Sequence, residues 1–255
     1  MSHTANDMAG LRAAKKQLRS LVKQTLSQLP EDSINQQSVG ATQALLSLPE
    51  YKRANRIGIY LSMPKSELST RDIVTHAFAH DKQVFVPYLY SINAQDRSKP
   101  VSVMDMVSLH SKSDFEGLDR DAWGIPSVSE NSIVGRERIL DIPDTEDGGH
   151  ERKSHNENGS TKTEKGRLDM IIMPGVAFDK GLARLGHGKG FYDVFLERYH
   201  FAKVAPMPFL ASVGLALEAQ LLPEDQSIPS GASDWQLDAL VIGNGMTIRR
   251  RNSTG

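Results

Sequence analysis

The chain has 255 residues, 39% of them hydrophobic, and a formal net charge of −1, which suits one domain with room for an insertion and excludes the basic excess of a dedicated nucleic-acid binder. It has no cysteine, so disulfides, zinc–thiolate centres and a cysteine nucleophile are excluded together, and a reducing compartment fits. No apolar run approaches the roughly 20 residues a membrane span needs.

Apolar Leu18, Leu21, Val22, Leu26 and Leu29 follow a helical period and predict an amphipathic helix over residues 11–29. The run Pro30-Glu-Asp-Ser33 breaks it and opens a second helix through about Leu46. Strands are expected at 56–63, 83–89, 168–173, 211–217 and 237–242, with a weaker alternating one at 102–107. Helices fit 70–80 and 191–199. Strands alternating with helical patterns imply an α/β fold with a mostly parallel sheet. In such sheets ligands collect at the loops beyond the strand C-termini.

Residues 141–166 contain one large apolar side chain, Ile142, among glycines, asparagines and charges. Such a stretch cannot bury enough surface to offset its ordering entropy, so a disordered insertion is expected there. His150 and His155 within it have no partner cluster that would make a metal site. The single domain then spans 11–248, with flexible tails at 1–10 and 249–255; the last of these opens with Arg249-Arg-Arg251 and reads as solvated. The first ten residues lack the charged-then-apolar plan of a signal peptide and carry Asp7, so a cytoplasmic location is expected ahead of a mitochondrial one.

The most informative run is Arg184-Leu-Gly-His-Gly-Lys-Gly-Phe-Tyr-Asp193. Alternating glycines let a backbone turn tightly and bring its N–H groups close to a ligand. Nests of N–H groups backed by cations suit anions, phosphates above all. A buried strand precedes the run and a helix follows, the setting of a helix N-terminal phosphate site. The spacing matches neither G-x-x-x-x-G-K-[ST] nor G-x-G-x-x-G, and a glycine-rich loop also serves as a plain turn. Two weaker patches complete the picture. Lys15 and Arg19 share a helix face at i and i+4, with Lys16 and Lys23 on its flank. Tyr60-Leu-Ser-Met-Pro-Lys-Ser-Glu-Leu-Ser-Thr70 follows a strand and holds one carboxylate, Glu67.

In this order, Lys15-Lys-Gln-Leu-Arg19, Tyr60-Leu-Ser-Met63 with Glu67, Trp123-Gly-Ile-Pro126, and Met173-Pro-Gly-Val-Ala-Phe-Asp-Lys180 running into the glycine loop resemble the 5-formyltetrahydrofolate cyclo-ligases, or methenyltetrahydrofolate synthetases. The resemblance implies a three-layer α/β/α sandwich of the sugar-phosphate isomerase and CoA-transferase type. It implies ATP- and magnesium-dependent closure of 5-formyltetrahydrofolate to 5,10-methenyltetrahydrofolate, with ATP and the folate as partners; by charge and the lack of a long apolar run neither nucleic acid nor membrane is expected as a partner, and a monomer is expected. By carry-over, Lys189 and Arg184 are the catalytic cations. Lys15, Arg19, Arg184, Leu185, Gly186, His187, Gly188, Lys189, Gly190, Phe191 and Tyr192 meet ATP. Leu61, Glu67 and Trp123 line the folate site, together with His187, Gly188, Lys189, Gly190 and Phe191. Asp193 and Asp238 are the expected magnesium ligands. His187 stands where many members carry arginine, so a permanent cation is not expected there. The competing readings are a sugar-phosphate isomerase-like enzyme on the same fold and a folate- or nucleotide-binding protein without turnover.

Overall fold

The computed structural model describes residues 2–92, 101–140, 167–201, 211–231 and 234–250. The expected insertion at 141–166 and its two histidines lie outside the described residues.

Three helices lead the chain: α1 (Ser2–Leu26), α2 (Glu31–Ser47) and the short α3 (Pro49–Arg53). Strand β1 (Arg56–Ile59) follows, then α4 (Arg71–Ala79), β2 (Gln83–Ile92), β3 (Val101–Leu109) and α5 (Lys112–Glu116). A two-stranded ribbon, β4 (Asp119–Arg120) with β5 (Pro126–Ser127), precedes β6 (Met170–Met173). A second ribbon, β7 (Ala177–Phe178) with β8 (Arg184–Leu185), leads into α6 (Phe191–Phe201). Strands β9 (Ala211–Ala216), β10 (Ala239–Ile242) and β11 (Thr247–Arg249) complete the chain.

The central sheet has seven strands in the order β11-β10-β9-β6-β1-β2-β3. The strands from β10 to β2 run parallel, and an antiparallel strand closes each edge. Period-two alternation explains why the parallel strands are apolar throughout. Met170 and Ile172 join Val213, Leu215, Ala239 and Val241 against Val22 and Leu26 of α1, Ala41 and Leu45 of α2, and Ile73 and Val74 of α4. Ile171 and Met173 face the other way, with Leu240 and Ile242, against Phe195, Leu196 and Tyr199 of α6. Sheet faces buried on both sides give the expected three layers.

Several boundaries differ from the sequence reading. Helix α1 begins at Ser2, nine residues before the period becomes amphipathic, and Leu21, one of the apolar residues that set that period, is 61% exposed. Strand β1 stops at Ile59 because the next residues are pinned into a loop by side-chain hydrogen bonds, given below. Strand β11 runs to Arg249, whose guanidinium pairs with Glu50 at 2.9 and 3.0 Å, so the described chain continues past the start of the expected tail.

Candidate active site

Parallel strands deliver their following loops to one edge of the sheet. β1 and β6 are hydrogen-bonded neighbours, Ile57 opposite Met170 and Ile59 opposite Ile172, so the chain leaving Ile59 and the chain leaving Met173 emerge side by side.

The loop after β1 closes on itself. Thr70 Oγ1 donates to the Tyr60 carbonyl at 2.9 Å, and the Ser62 and Thr70 N–H groups each donate to the other's hydroxyl at 3.3 Å. The Tyr60 hydroxyl donates to the Leu68 carbonyl at 3.1 Å, and the Ser69 N–H donates to Ser38 of α2. These bonds satisfy backbone groups that a longer strand would have paired. The loop presents Glu67, 7% exposed, with Oε2 accepting the Met63 N–H at 2.9 Å. A cavity of about 230 Å³ opens here, lined by Leu61, Met63, Glu67, Phe115, Arg120 and Pro126 among others.

The loop after β6 forms the β7–β8 ribbon and then the glycine run. Asp179 ties the ribbon, accepting from the Ala183 and Ile228 N–H groups at 2.9 and 2.8 Å. Gly188 and Gly190 have φ of 99° and 71°, left-handed values that a side chain would strain. Between them Lys189 is exposed, with no hydrogen-bond or ion-pair partner among the described residues. The run ends at the first turn of α6, where unpaired N–H groups favour an anion.

Helix α1 brings its cations to this loop. Arg19 Nε donates to the Gly186 carbonyl at 2.8 Å, and its guanidinium lies beside Gly188. Lys15 Nζ pairs with both Asp234 oxygens at 2.8 and 2.6 Å. Lys16 and Lys23 are exposed and, among the described residues, make no hydrogen bond or ion pair with the loop. His187 Nε2 lies 3.4 Å from Glu67 Oε1, joining the glycine loop to the cavity. Burial pushes the Tyr60 phenol up, helped by Glu67 and Tyr192, and burial likewise raises that of Tyr192. Both therefore stay protonated at neutral pH.

The model of the 5-formyltetrahydrofolate cyclo-ligase family matches residues 11–243. The chain belongs to that family. It is 32% identical over 229 residues to a probable 5-formyltetrahydrofolate cyclo-ligase of Schizosaccharomyces pombe, covering 89% of this chain and 94% of the relative. It is 30% identical over 233 residues to the 5-formyltetrahydrofolate cyclo-ligase of Mus musculus, covering 91% and 94%. The solved 5,10-methenyltetrahydrofolate synthetase of Aquifex aeolicus shares its fold, with TM-score 0.58 and 24% identity over 94% of this chain and 95% of that one.

Within this cyclo-ligase chain the expected site residues fall into two groups. Lys15, Arg19, His187, Lys189, Asp193, Leu61 and Glu67 come together around the two loops, and Phe191 and Tyr192 stand half-buried at the start of α6. At three further expected positions the side chain already has partners within the protein. Arg184 is not a free cation: its side chain is 3% exposed, donating to Asp193 Oδ1 at 3.1 Å and to the Pro174 carbonyl at 3.2 Å, with its guanidinium 5.4 Å from the Tyr192 ring centroid. It holds the loop to α6. Leu185 is a core residue, 1% exposed, whose carbonyl accepts the Val176 N–H. Asp238 does not join Asp193. Its Oδ2 accepts from the Ser212 N–H and hydroxyl at 2.9 and 2.7 Å, and Oδ1 faces Arg250 at 3.7 Å, so it ties β10 to β9.

The segment that does reach Asp193 carries Asp234, which sequence reasoning missed. The N–H of the next residue, Trp235, donates to Asp193 Oδ1 at 3.3 Å. Burial raises the Asp234 carboxyl, but Lys15, the Gly231 N–H and Arg184 outweigh it and hold it below the usual carboxylate range. Its sequence signal is position: Asp234 sits in an irregular polar stretch ahead of the strand, the usual place for a functional loop residue, whereas Asp238 abuts the strand's own apolar run. Trp123 is 74% exposed on the turn at 121–125, where Asp121 Oδ1 accepts the Trp123 and Ile125 N–H groups. Gly124 of that turn, at φ 78°, packs on Pro64 so closely that a Cβ would lie 2.9 Å from Pro64 Cγ. The turn therefore abuts the cavity loop without lining the cavity.

Proposed function

We propose that the chain converts 5-formyltetrahydrofolate and ATP into 5,10-methenyltetrahydrofolate, ADP and phosphate. The observation that carries this reading is the 3.4 Å approach of His187 to Glu67. It joins a cavity with one buried carboxylate to a glycine loop backed by cations, so two different substrates meet at one point.

The chemistry follows from leaving-group ability. The formyl oxygen is amide-like and leaves poorly; as a phosphate ester it leaves well. The oxygen attacks the γ-phosphorus and ADP departs. N10 then attacks the activated formyl carbon and loses its proton, and phosphate leaves with the former formyl oxygen. Phosphoryl transfer depends on positioning and charge neutralisation more than on covalent help. Lys189 is exposed and unpaired among the described residues, which supports a role for it in meeting the transferring group. The N–H groups of residues 186–190 and the α6 N-terminus cradle phosphate oxygens. Lys15 and Arg19 add positive charge from α1. Glu67 accepts hydrogen bonds from pterin N–H groups, while the protonated phenols of Tyr60 and Tyr192 keep the surroundings uncharged. Trp123 stacks on the aromatic part of the folate.

Magnesium fits the carboxylates Asp193 and Asp234, hard oxygen donors linked through the Trp235 N–H; this cation usually takes one or two carboxylates plus substrate phosphates. Bound there, it would neutralise phosphate charge. Among the described residues no group of three or more His, Asp or Glu side chains forms a ready-made metal cage, and substrate phosphates would supply further oxygen donors. No described helix is long and apolar enough to cross a membrane. With no cysteine in the chain, we read the protein as one of the reducing cytoplasm; we take it to act as a monomer. The test is direct: protein, ATP, magnesium and 5-formyltetrahydrofolate should yield the near-ultraviolet absorbance of the methenyl product with one ADP per product. Folate binding without product would leave a binding protein, and ATP-independent turnover of a sugar phosphate would favour the isomerase reading.

A further inference from the structure

The chain has nine methionines and no cysteine, so thioether is its only oxidisable sulfur. Among the described residues the methionines fall into three environments. Met104, Met106, Met170 and Met173 are sealed in the core, at most 2% exposed. Met8 on α1 and Met246 in the turn between β10 and β11 are exposed, and neither lines the cavity. Met63 alone of the described methionines is half-buried and part of the cavity wall. Met1 and Met207 lie outside the described residues.

The backbone at Met63 is held on both sides. Its N–H donates to Glu67 Oε2 at 2.9 Å, and the ring of Pro64, the next residue, packs against Gly124. A changed side chain therefore stays at the cavity wall unless these contacts break. The cavity, about 230 Å³, is several times the roughly 30 Å³ share of a water molecule, so it admits a small peroxide. The thioether sulfur attacks one peroxide oxygen, the O–O bond breaks and an S–O bond forms. The departing hydroxide takes up the proton of the transferred oxygen and leaves as water. Sulfur loses two electrons and the peroxide gains them. The product is a sulfoxide, polar where the thioether was apolar, and methionine sulfoxide reductases reverse it. The wall suits the thioether better: Ile34, Leu61, Phe115 and Pro126 are its apolar part, and Glu67 is itself an acceptor.

We infer that Met63 is a reversible oxidation site through which a peroxide lowers the affinity of the cavity for folate. This rests on the reading of the cavity as the folate site.

The experiment treats the wild-type protein and the variants Met63→Leu, Met8→Leu and Met246→Leu, volume-conserving exchanges, with graded hydrogen peroxide. Peptide mass spectrometry reads the sulfoxide at each methionine. Calorimetry reads 5-formyltetrahydrofolate affinity, each protein against its own untreated sample. Wild-type affinity should fall about ten-fold as the Met63 sulfoxide accumulates, the scale for burying an acceptor without a donor. Met8→Leu and Met246→Leu should fall as far, and Met63→Leu should hold its starting value. Methionine sulfoxide reductase with a thiol reductant should restore the wild type. Saturation with the folate beforehand should slow oxidation at Met63 and leave Met8 and Met246 unprotected. Three results would overturn the inference: Met63 unoxidised while Met8 and Met246 react, its sulfoxide formed with affinity unchanged, or Met63→Leu losing as much affinity as wild type. The readout is binding, so untreated wild type that binds the folate without turnover sinks the proposed reaction while the affinities still decide the role of Met63. Untreated wild type that does not bind the folate sinks both.

Discussion

His187 and Glu67 lie 3.4 Å apart although 120 positions separate them in sequence. They meet because their parent strands, β6 and β1, are neighbours in a parallel sheet. The contact places His187 between the glycine loop and the cavity. Replacing His187 by Ala should weaken 5-formyltetrahydrofolate binding, and His187→Arg should restore it, since a guanidinium also reaches a carboxylate. Equilibrium titration of the folate with and without a non-hydrolysable ATP analogue checks this; identical constants for wild type and His187→Ala would remove the imidazole from the folate side.

Lys189→Ala should cost on the order of 10²-fold in turnover, the scale for removing a group that meets developing charge. An exposed loop lysine contributes little to the core, so the melting temperature should hold. Near-normal turnover would reduce the loop to a turn.

The carboxylates should separate cleanly. Asp193→Asn and Asp234→Asn should each raise the magnesium needed for ATP binding by about ten-fold or more, as loss of a charged ligand implies. Asp238→Asn should leave magnesium dependence alone and instead destabilise the fold by about 1 kcal/mol, because it weakens bonds to Ser212. Calorimetric ATP titrations across magnesium concentrations give the comparison, with thermal melts alongside. A magnesium defect confined to Asp238→Asn would reverse the assignment made from the geometry.

The sequence made the core of the fold legible because burial on both faces leaves continuous apolar runs such as Met170-Ile-Ile-Met173. The glycine loop was legible because its chemistry is written in consecutive residues. What could not be read was convergence. Asp234 gains its place only when Lys15, 219 positions away, reaches it. Arg184 looks like a phosphate clamp in sequence, yet the folded ribbon turns it inward to Asp193. The Ser62–Thr70 closure truncates a run that otherwise reads as strand through Met63.

Arg136 is the best-satisfied buried cation outside the site. Its side chain, 4% exposed, donates to both Asp114 oxygens at 2.6 and 2.7 Å and to the Ser108 and Ser132 carbonyls. The hydrogen bond from Arg136 holds the Asp114 carboxyl below its ordinary range, against a smaller upward pull from burial. A lowered folded-state value contributes stability above the unfolded carboxyl's range, and that stability is lost as pH falls through the folded value. Asp114→Asn should therefore cost about 3 kcal/mol at neutral pH, where it strands a buried charge. The gap to wild type should narrow as the pH drops below about 4. Denaturant melts at both pH values test it; a gap that widens in acid would contradict the sign.

The central claim is that ATP activates the formyl oxygen, and an isotope label tests it most directly. 5-Formyltetrahydrofolate carrying oxygen-18 in its formyl group, turned over with unlabelled ATP, should deliver that label into the released phosphate, one atom per methenyl product. Label appearing in water, with phosphate unlabelled, would contradict the account.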